Sequence, residues 1–196
     1  MFFNFVFLSF FINAVVMGSP IELETRQLGD CSPVLLIHAA GTTEVGLGTV
    51  GIPLSRALAS AIPGTTSYAV PYSTSAEYFV TVQAGVNTAT AHLTSEASRC
   101  PNQKYILSGY SKGAMVVRNM RLSPTLKSRV ISILVFGDPL RGVAASQWPI
   151  DSPAVNLRLR LGGNNHNVAS FCNASDMFCT PPCVPPPHLA YPMDRR

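Results

Sequence analysis

The chain has 196 residues, and 14 Lys and Arg against 10 Asp and Glu give a net charge of +4 with only 12% charged residues. That length suits one domain, and with no Lys/Arg block and no interleaved aromatic track, nucleic-acid binding is not expected. The 47% hydrophobic content is high for a soluble domain, but six of the ten Phe fall in the first eleven residues, so the excess belongs mostly to a leader.

Residues 1–17 carry no charged side chain, run almost wholly apolar over 5–16 and reach the small pair Gly18 and Ser19. An apolar run of about 12 residues is too short to span a bilayer, and no later run reaches the roughly 18 needed for a membrane anchor. Residues 1–18 therefore read as a signal peptide and the chain as secreted, extracellular. Residues 19–26 read as a short propeptide ending at Arg26, and 27–196 as one domain with 13 basic and 8 acidic residues, net +5.

Within that domain short apolar runs alternate with longer helical patterns. Strands are expected at 34–39, 67–70, 105–108 and 130–136, and a wet-edged strand at 155–161, where apolar and polar residues alternate. Helices are expected at about 53–61, 75–98 and 112–122. Strands alternating with helices imply parallel βαβ units, hence an α/β fold: a three-layer α/β/α sandwich around about five parallel strands. A Pro-rich patch at 181–187 reads as a stiff loop.

Five cysteines follow the leader, at 31, 100, 172, 179 and 183. In an oxidising compartment they amount to two disulfides and one thiol. Cys31 with Cys100, each just ahead of a strand-like run, and Cys172 with Cys179 are the favoured pairs. Pairing of Cys183 with Cys172 or Cys179 stays open. Spacings of seven and four with no C-x-x-C pair argue against a metal site.

The segment Gly109-Tyr-Ser111-Lys-Gly113 is a G-x-S-x-G motif set directly between an apolar strand and a helix. Such a turn lifts the serine Oγ above the sheet and places free N–H groups of the helix N-terminus beneath it, where an oxyanion could develop. Serine needs a base and an orienting acid, in the order Ser, Asp/Glu, His. Only His166 and His188 follow Ser111, while His38 lies in a strand and His92 in a helix. Between Ser111 and His188 stand Asp138, Asp151 and Asp176. Asp176 lies between Cys172 and Cys179, where a disulfide loop would fix a carboxylate, and it precedes His188 but not His166. Asp138, at the end of the fourth strand, remains its rival. A second glycine pattern, Gly46-Leu-Gly48-Thr-Val-Gly51, matches G-x-G-x-x-G, but it stands too far from the first strand and lacks an acid near Val70, so no dinucleotide cofactor is expected.

At these residues the sequence resembles the cutinases and the related acetylxylan esterases. The blocks Gly109-Tyr-Ser111-Lys-Gly113, Cys172-Asn-Ala-Ser-Asp176-Met-Phe-Cys179, His188-Leu-Ala-Tyr191, Ala39-Ala-Gly41-Thr42-Thr43-Glu44 and Phe136-Gly-Asp-Pro139 occur in that family's order. The resemblance implies a lidless α/β-hydrolase fold, Ser111 as nucleophile, His188 as base, Asp176 as acid and an oxyanion hole from the backbone N–H of Thr42 and Lys112, aided by the Thr42 hydroxyl. It also supports both favoured disulfides. Three positions depart from the family pattern: Lys112 stands where Gln is usual, Ala40 where Arg is common, and Ser175 where Gly is frequent, which strains the loop if the position needs a positive φ.

No insertion is large enough for a lid over Ser111, and the residues near His188 and Thr42 are apolar, which suits acyl chains better than a sugar backbone. The expected activity is hydrolysis of carboxylic esters, cutin-like polyesters or short acyl esters, without cofactor or metal and by a monomer. Acetylated xylan is the alternative substrate, and a catalytically weak protein that binds a surface is the alternative of a different class.

Overall fold

Apolar runs bounded by Gly, Pro and polar turns become the strands of one sheet. The computed structural model describes residues 31–141, 148–150, 167–179 and 186–193. Elements follow in the order β1 (Val34–Ala39), α1 (Gly48–Ala61), β2 (Thr66–Ala69), α2 (Phe79–Arg99), β3 (Lys104–Tyr110), α3 (Lys112–Asn119), α4 (Pro124–Lys127), β4 (Val130–Phe136), β5 (Val168–Phe171) and a 3-10 helix (Pro186–Met193). The five strands are all parallel, in the order β2-β1-β3-β4-β5.

Every residue of β1 is buried, as a parallel strand covered on both faces requires. Alternation divides its side chains between two cores. Leu35, Ile37 and Ala39 join Tyr105, Leu107, Ile133 and Val135 beneath α2 and α3. Val34 and Leu36 join Ile106 under Leu54 and Leu58 of α1. Full burial of such side chains stabilises by roughly 1.5–3 kcal/mol each. The resulting layers are helix, sheet, helix.

Boundaries moved where contacts from outside the local window intervene. α1 starts five residues before Pro53 because the Glu44 carboxylate accepts from the Thr49 N–H (2.8 Å), supplying a cap that no helix signature marks. α2 starts at Phe79 rather than Ser75, since the carbonyls of Ser73, Ser75 and Glu77 face the Lys112 ammonium instead of helical amides. The strand expected at 155–161 lies outside the described residues. The fifth strand that the structure shows, β5, is a four-residue segment too short for periodicity to detect.

The strand order carries the functional consequence. From β1 the chain goes outward to β2, then returns to the other side of β1 to build β3, so the segments after β1 and β3 diverge over a crevice. Ligands of open α/β sheets bind at such a switch point, beyond the carboxyl ends of the strands. The β1–β3 register pairs Ala39 with Gly109, so Thr42 and Lys112, each three residues further on, leave the sheet side by side.

Candidate active site

Ser111 is the N-cap of α3 and has φ 52° and ψ −117°, a conformation costly for a residue with a Cβ. Its surroundings enforce it. A Cβ on Gly109 would collide with the backbone of Gly113, and one on Gly113 with the Ala39 carbonyl, so both glycines are needed for α3 to close onto β1 and β3. The Ser111 N–H donates to Phe136 O (2.9 Å) and its carbonyl accepts from Ala114 N (2.9 Å), pinning the turn to β4 and α3.

His188 sits on the 3-10 helix, nearly buried, and its Nδ1 lies 3.0 Å from both carboxylate oxygens of Asp176, which has no exposed surface. Asp176 also accepts from the Phe178 N–H (2.9 Å) and the Tyr191 hydroxyl (2.6 Å). The imidazole stacks on Tyr110, the residue before Ser111, with centroids 5.1 Å apart, and the Tyr110 hydroxyl donates to the His188 carbonyl at 2.6 Å. Gly137 leaves room for the ring, since a Cβ there would stand 2.7 Å from Cε1. Tyr110 and the end of β4 thus link the Ser111 turn to His188, although no hydrogen bond joins the Ser111 hydroxyl to the ring among the described residues.

The rival acid is engaged elsewhere. Asp138 is fully buried, takes a 2.9 Å bond from Arg118 Nε and another from the Leu140 N–H, and Arg118 in turn lies 3.9 Å over the Trp148 ring. Asp151 and His166 lie outside the described residues. His38 is buried in β1, bonded to Ser108 Oγ at 3.0 Å, while His92 stacks on Tyr68. Neither faces Asp176.

The described residues form two disulfides. Cys31–Cys100 joins the chain just before β1 to the end of α2, and Cys172–Cys179 closes the loop that carries Asp176. Cys183 lies outside the described residues. Ser175 has φ 68°, so the left-handed position that glycine suits is occupied here by a serine. The Asn173 side chain donates to Pro187 O at 2.9 Å and its N–H to Tyr191 Oη at 2.9 Å. These bonds tie the acid loop to the helix bearing His188.

Beside the elbow, Glu44 accepts from the Gly41 N–H (2.6 Å) and from Thr49 N and Oγ1, holding the Gly41–Thr42–Thr43 turn against the start of α1. The glycine loop serves this clamp, because a Cβ on Gly48 would collide with the Glu44 carboxylate. Among the described residues, neither the Thr42 nor the Lys112 N–H meets an acceptor. The Thr42 hydroxyl is 2.8 Å from Tyr78 Oη. Residue type hid two members of this site: Tyr78 and Tyr191 look like ordinary aromatics in the sequence, and only their hydroxyl partners distinguish them.

A family model of the cutinases matches residues 30–196. The chain belongs to the cutinase family. Cutinases and their kin are carboxylic ester hydrolases, and a cutinase of Coprinopsis cinerea is 33% identical over 187 residues, spanning 91% of this chain and 86% of its own. Among solved structures, a Trichoderma reesei cutinase in complex with a phosphonate inhibitor superposes with a TM-score of 0.63 at 26% identity, covering 83% of this chain and 71% of that one. The catalytic core domain of acetyl xylan esterase from Trichoderma reesei, at 22% identity and a TM-score of 0.66 over 83% and 93% of the two chains, shares the fold. Among the described residues no helix is long and apolar enough to cross a membrane.

Proposed function

We propose that this member of the cutinase family is a secreted serine esterase that works through an acyl-enzyme on Ser111. The observation that carries this is the Asp176–His188 pair, whose imidazole stacks on the residue preceding a strained serine on a strand-to-helix turn. Ser111 Oγ attacks the ester carbonyl while His188 Nε2 takes the hydroxyl proton. Asp176, bound to Nδ1, keeps the ring in the tautomer that leaves Nε2 free to accept and stabilises the imidazolium. The carbonyl oxygen, now negative, is received by the N–H groups of Thr42 and Lys112 and by the Thr42 hydroxyl. His188 returns the proton to the leaving alkoxide, and the same groups then direct water onto the acyl-enzyme.

The surroundings favour an apolar polymeric ester, with cutin-like polyesters ahead of acetylated xylan. Val45, Phe79, Val80 and Leu189, each within two residues of the 39–44 block, Tyr78 or His188, are exposed by 88, 90, 65 and 70%. Large apolar side chains so exposed suit contact with acyl chains or a waxy surface. The leader and the two disulfides support secretion.

Hydrolysis of p-nitrophenyl butyrate by the disulfide-bonded protein tests the reaction. Turnover abolished by Ser111→Ala is expected, and turnover that persists in that variant, or none in the parent, would refute it. Release of products from a polyester film but not from acetylated xylan is the expected substrate pattern; the opposite would reassign the substrate.

A further inference from the structure

Lys112, the residue after the nucleophile, has no exposed surface although it carries a charge. Taking an ammonium out of water costs several kcal/mol unless each of its protons finds an acceptor. Its three acceptors are the backbone carbonyls of Ser73 (3.0 Å), Ser75 (2.6 Å) and Glu77 (2.8 Å). The rings of Tyr72 and Tyr78 flank it, with centroids 5.6 and 5.2 Å from Nζ. A cation in the first turn of α3 is opposed by the helix dipole, and these carbonyls, the π-faces and the nearby Glu77 charge offset both penalties. All three carbonyls belong to one segment, which the ammonium therefore pins to the start of α3.

That segment lies along the turn that contains Thr42. The Tyr72 hydroxyl donates to Ala40 O (2.5 Å), Thr43 N to Thr74 O (2.8 Å) and Thr74 Oγ1 to Glu44 O (2.8 Å), while Tyr78 Oη pairs with Thr42 Oγ1 (2.8 Å). A continuous set of contacts thus runs from Lys112 Nζ through residues 72–78 to Thr42. One residue supplies an oxyanion donor from its backbone and secures the opposite donor with its side chain.

We propose that the Lys112 ammonium is a positioning residue for the oxyanion hole, fixing residues 72–78 so that Tyr78 holds the Thr42 hydroxyl and its loop where the oxyanion forms. The inference rests on the esterase mechanism proposed above and concerns a side chain to which that mechanism gives no role. Because it acts on transition-state geometry rather than on substrate contact, its loss should fall on kcat.

The test compares the parent, Lys112→Met, Tyr78→Phe and the double variant in hydrolysis of p-nitrophenyl butyrate. Removing a direct oxyanion donor costs about 10²–10³ in kcat, which bounds the effect from above; a loss of about tenfold or more in Lys112→Met, with KM within about twofold, is expected. Tyr78→Phe, which keeps the ring, should lose activity in the same way, and the double variant should be no worse than the worse single one, because both act through one contact. A purely structural role would lower stability without this kcat-only, non-additive pattern. If Lys112→Met cannot be obtained folded, Lys112→Gln, with two donors for three carbonyls, is judged by the same criteria. Unchanged kcat, a loss carried by KM, or fully additive losses would overturn the inference while leaving the esterase mechanism in place. An inactive parent would remove the mechanism and the inference together.

Discussion

The phenol of Tyr191 donates a 2.6 Å hydrogen bond to Oδ2 of Asp176, an oxygen that also stands 3.0 Å from His188 Nδ1. Burial, and then this bond to Asp176, raise the Tyr191 pKa above its ordinary value, so the phenol remains a donor throughout the neutral range. The Asn173 N–H donates in turn to the phenol oxygen, so the phenol links the carboxylate to the backbone of its own loop.

Tyr191→Phe keeps the ring packed near Tyr110 and Phe136 and removes only the hydroxyl. A hydrogen bond to a charged group is worth about 1.5–3 kcal/mol, so kcat for p-nitrophenyl butyrate should fall by about 10- to 100-fold with KM little changed. Steady-state kinetics check this, and an unaltered kcat would show that Asp176 is positioned without the phenol.

Asp176→Asn and Asp138→Asn should fail in opposite ways. Losing the orienting carboxylate costs about 10⁴ in kcat in a serine protease, and Asp176→Asn should approach that loss. Asp138→Asn breaks the buried pair between that carboxylate and Arg118 Nε, which costs about 3 kcal/mol or more of stability, while the folded fraction keeps most of its activity. Urea unfolding and kinetics on the two variants separate these outcomes; the reverse pattern would move the acid to the end of β4.

The Cys172–Cys179 bridge spans a sequence separation of seven. A loop this short contributes less than about 3 kcal/mol through chain entropy. In the proposed mechanism its greater effect is to hold Asp176, since misplacing a catalytic group by about 1 Å can cost roughly 10²-fold in rate. The double change Cys172→Ser with Cys179→Ser should therefore lower kcat far more than it raises KM, whereas Cys183→Ser should be nearly neutral. Peptide mapping of the unreduced protein gives the pairing alongside the kinetics.

His38 is fully buried, and burial pushes its pKa down to about 4 from an ordinary 6.5, with Glu44 opposing the shift. Among the described residues its Nε2 has no hydrogen-bond partner, and it lies against Gly51 of α1. The native ring stays neutral between pH 6.5 and 4 while the unfolded chain takes up the proton, so the stability present above pH 6.5 is lost as pH falls through this window, by up to about 3 kcal/mol. Urea unfolding at pH 7 and pH 4.5 should show a smaller loss in His38→Leu than in the parent. An equal loss in both would assign the acid sensitivity to other groups.

Local rules made much of this protein legible from its residues. Continuous apolar runs marked β1, β3 and β4, and the glycines at 109 and 113 marked the turn that forces Ser111 to positive φ, because strand burial and a tight turn depend on neighbours within a few residues. The contact between Asp176 and His188 could be expected for the same reason, each lying in a short recognisable block. What could not be read depends on partners far apart in the chain. Arg118 engages Asp138 across 20 residues, Lys112 meets the Ser73 carbonyl across 39, and Tyr110 meets the His188 carbonyl across 78. No periodicity encodes such pairs, because they exist only once the order β2-β1-β3-β4-β5 has brought the ends of β1, β3 and β4 together. The same limit hid the surroundings of Lys112, since nothing near it in the chain shows that its ammonium meets the carbonyls of Ser73, Ser75 and Glu77.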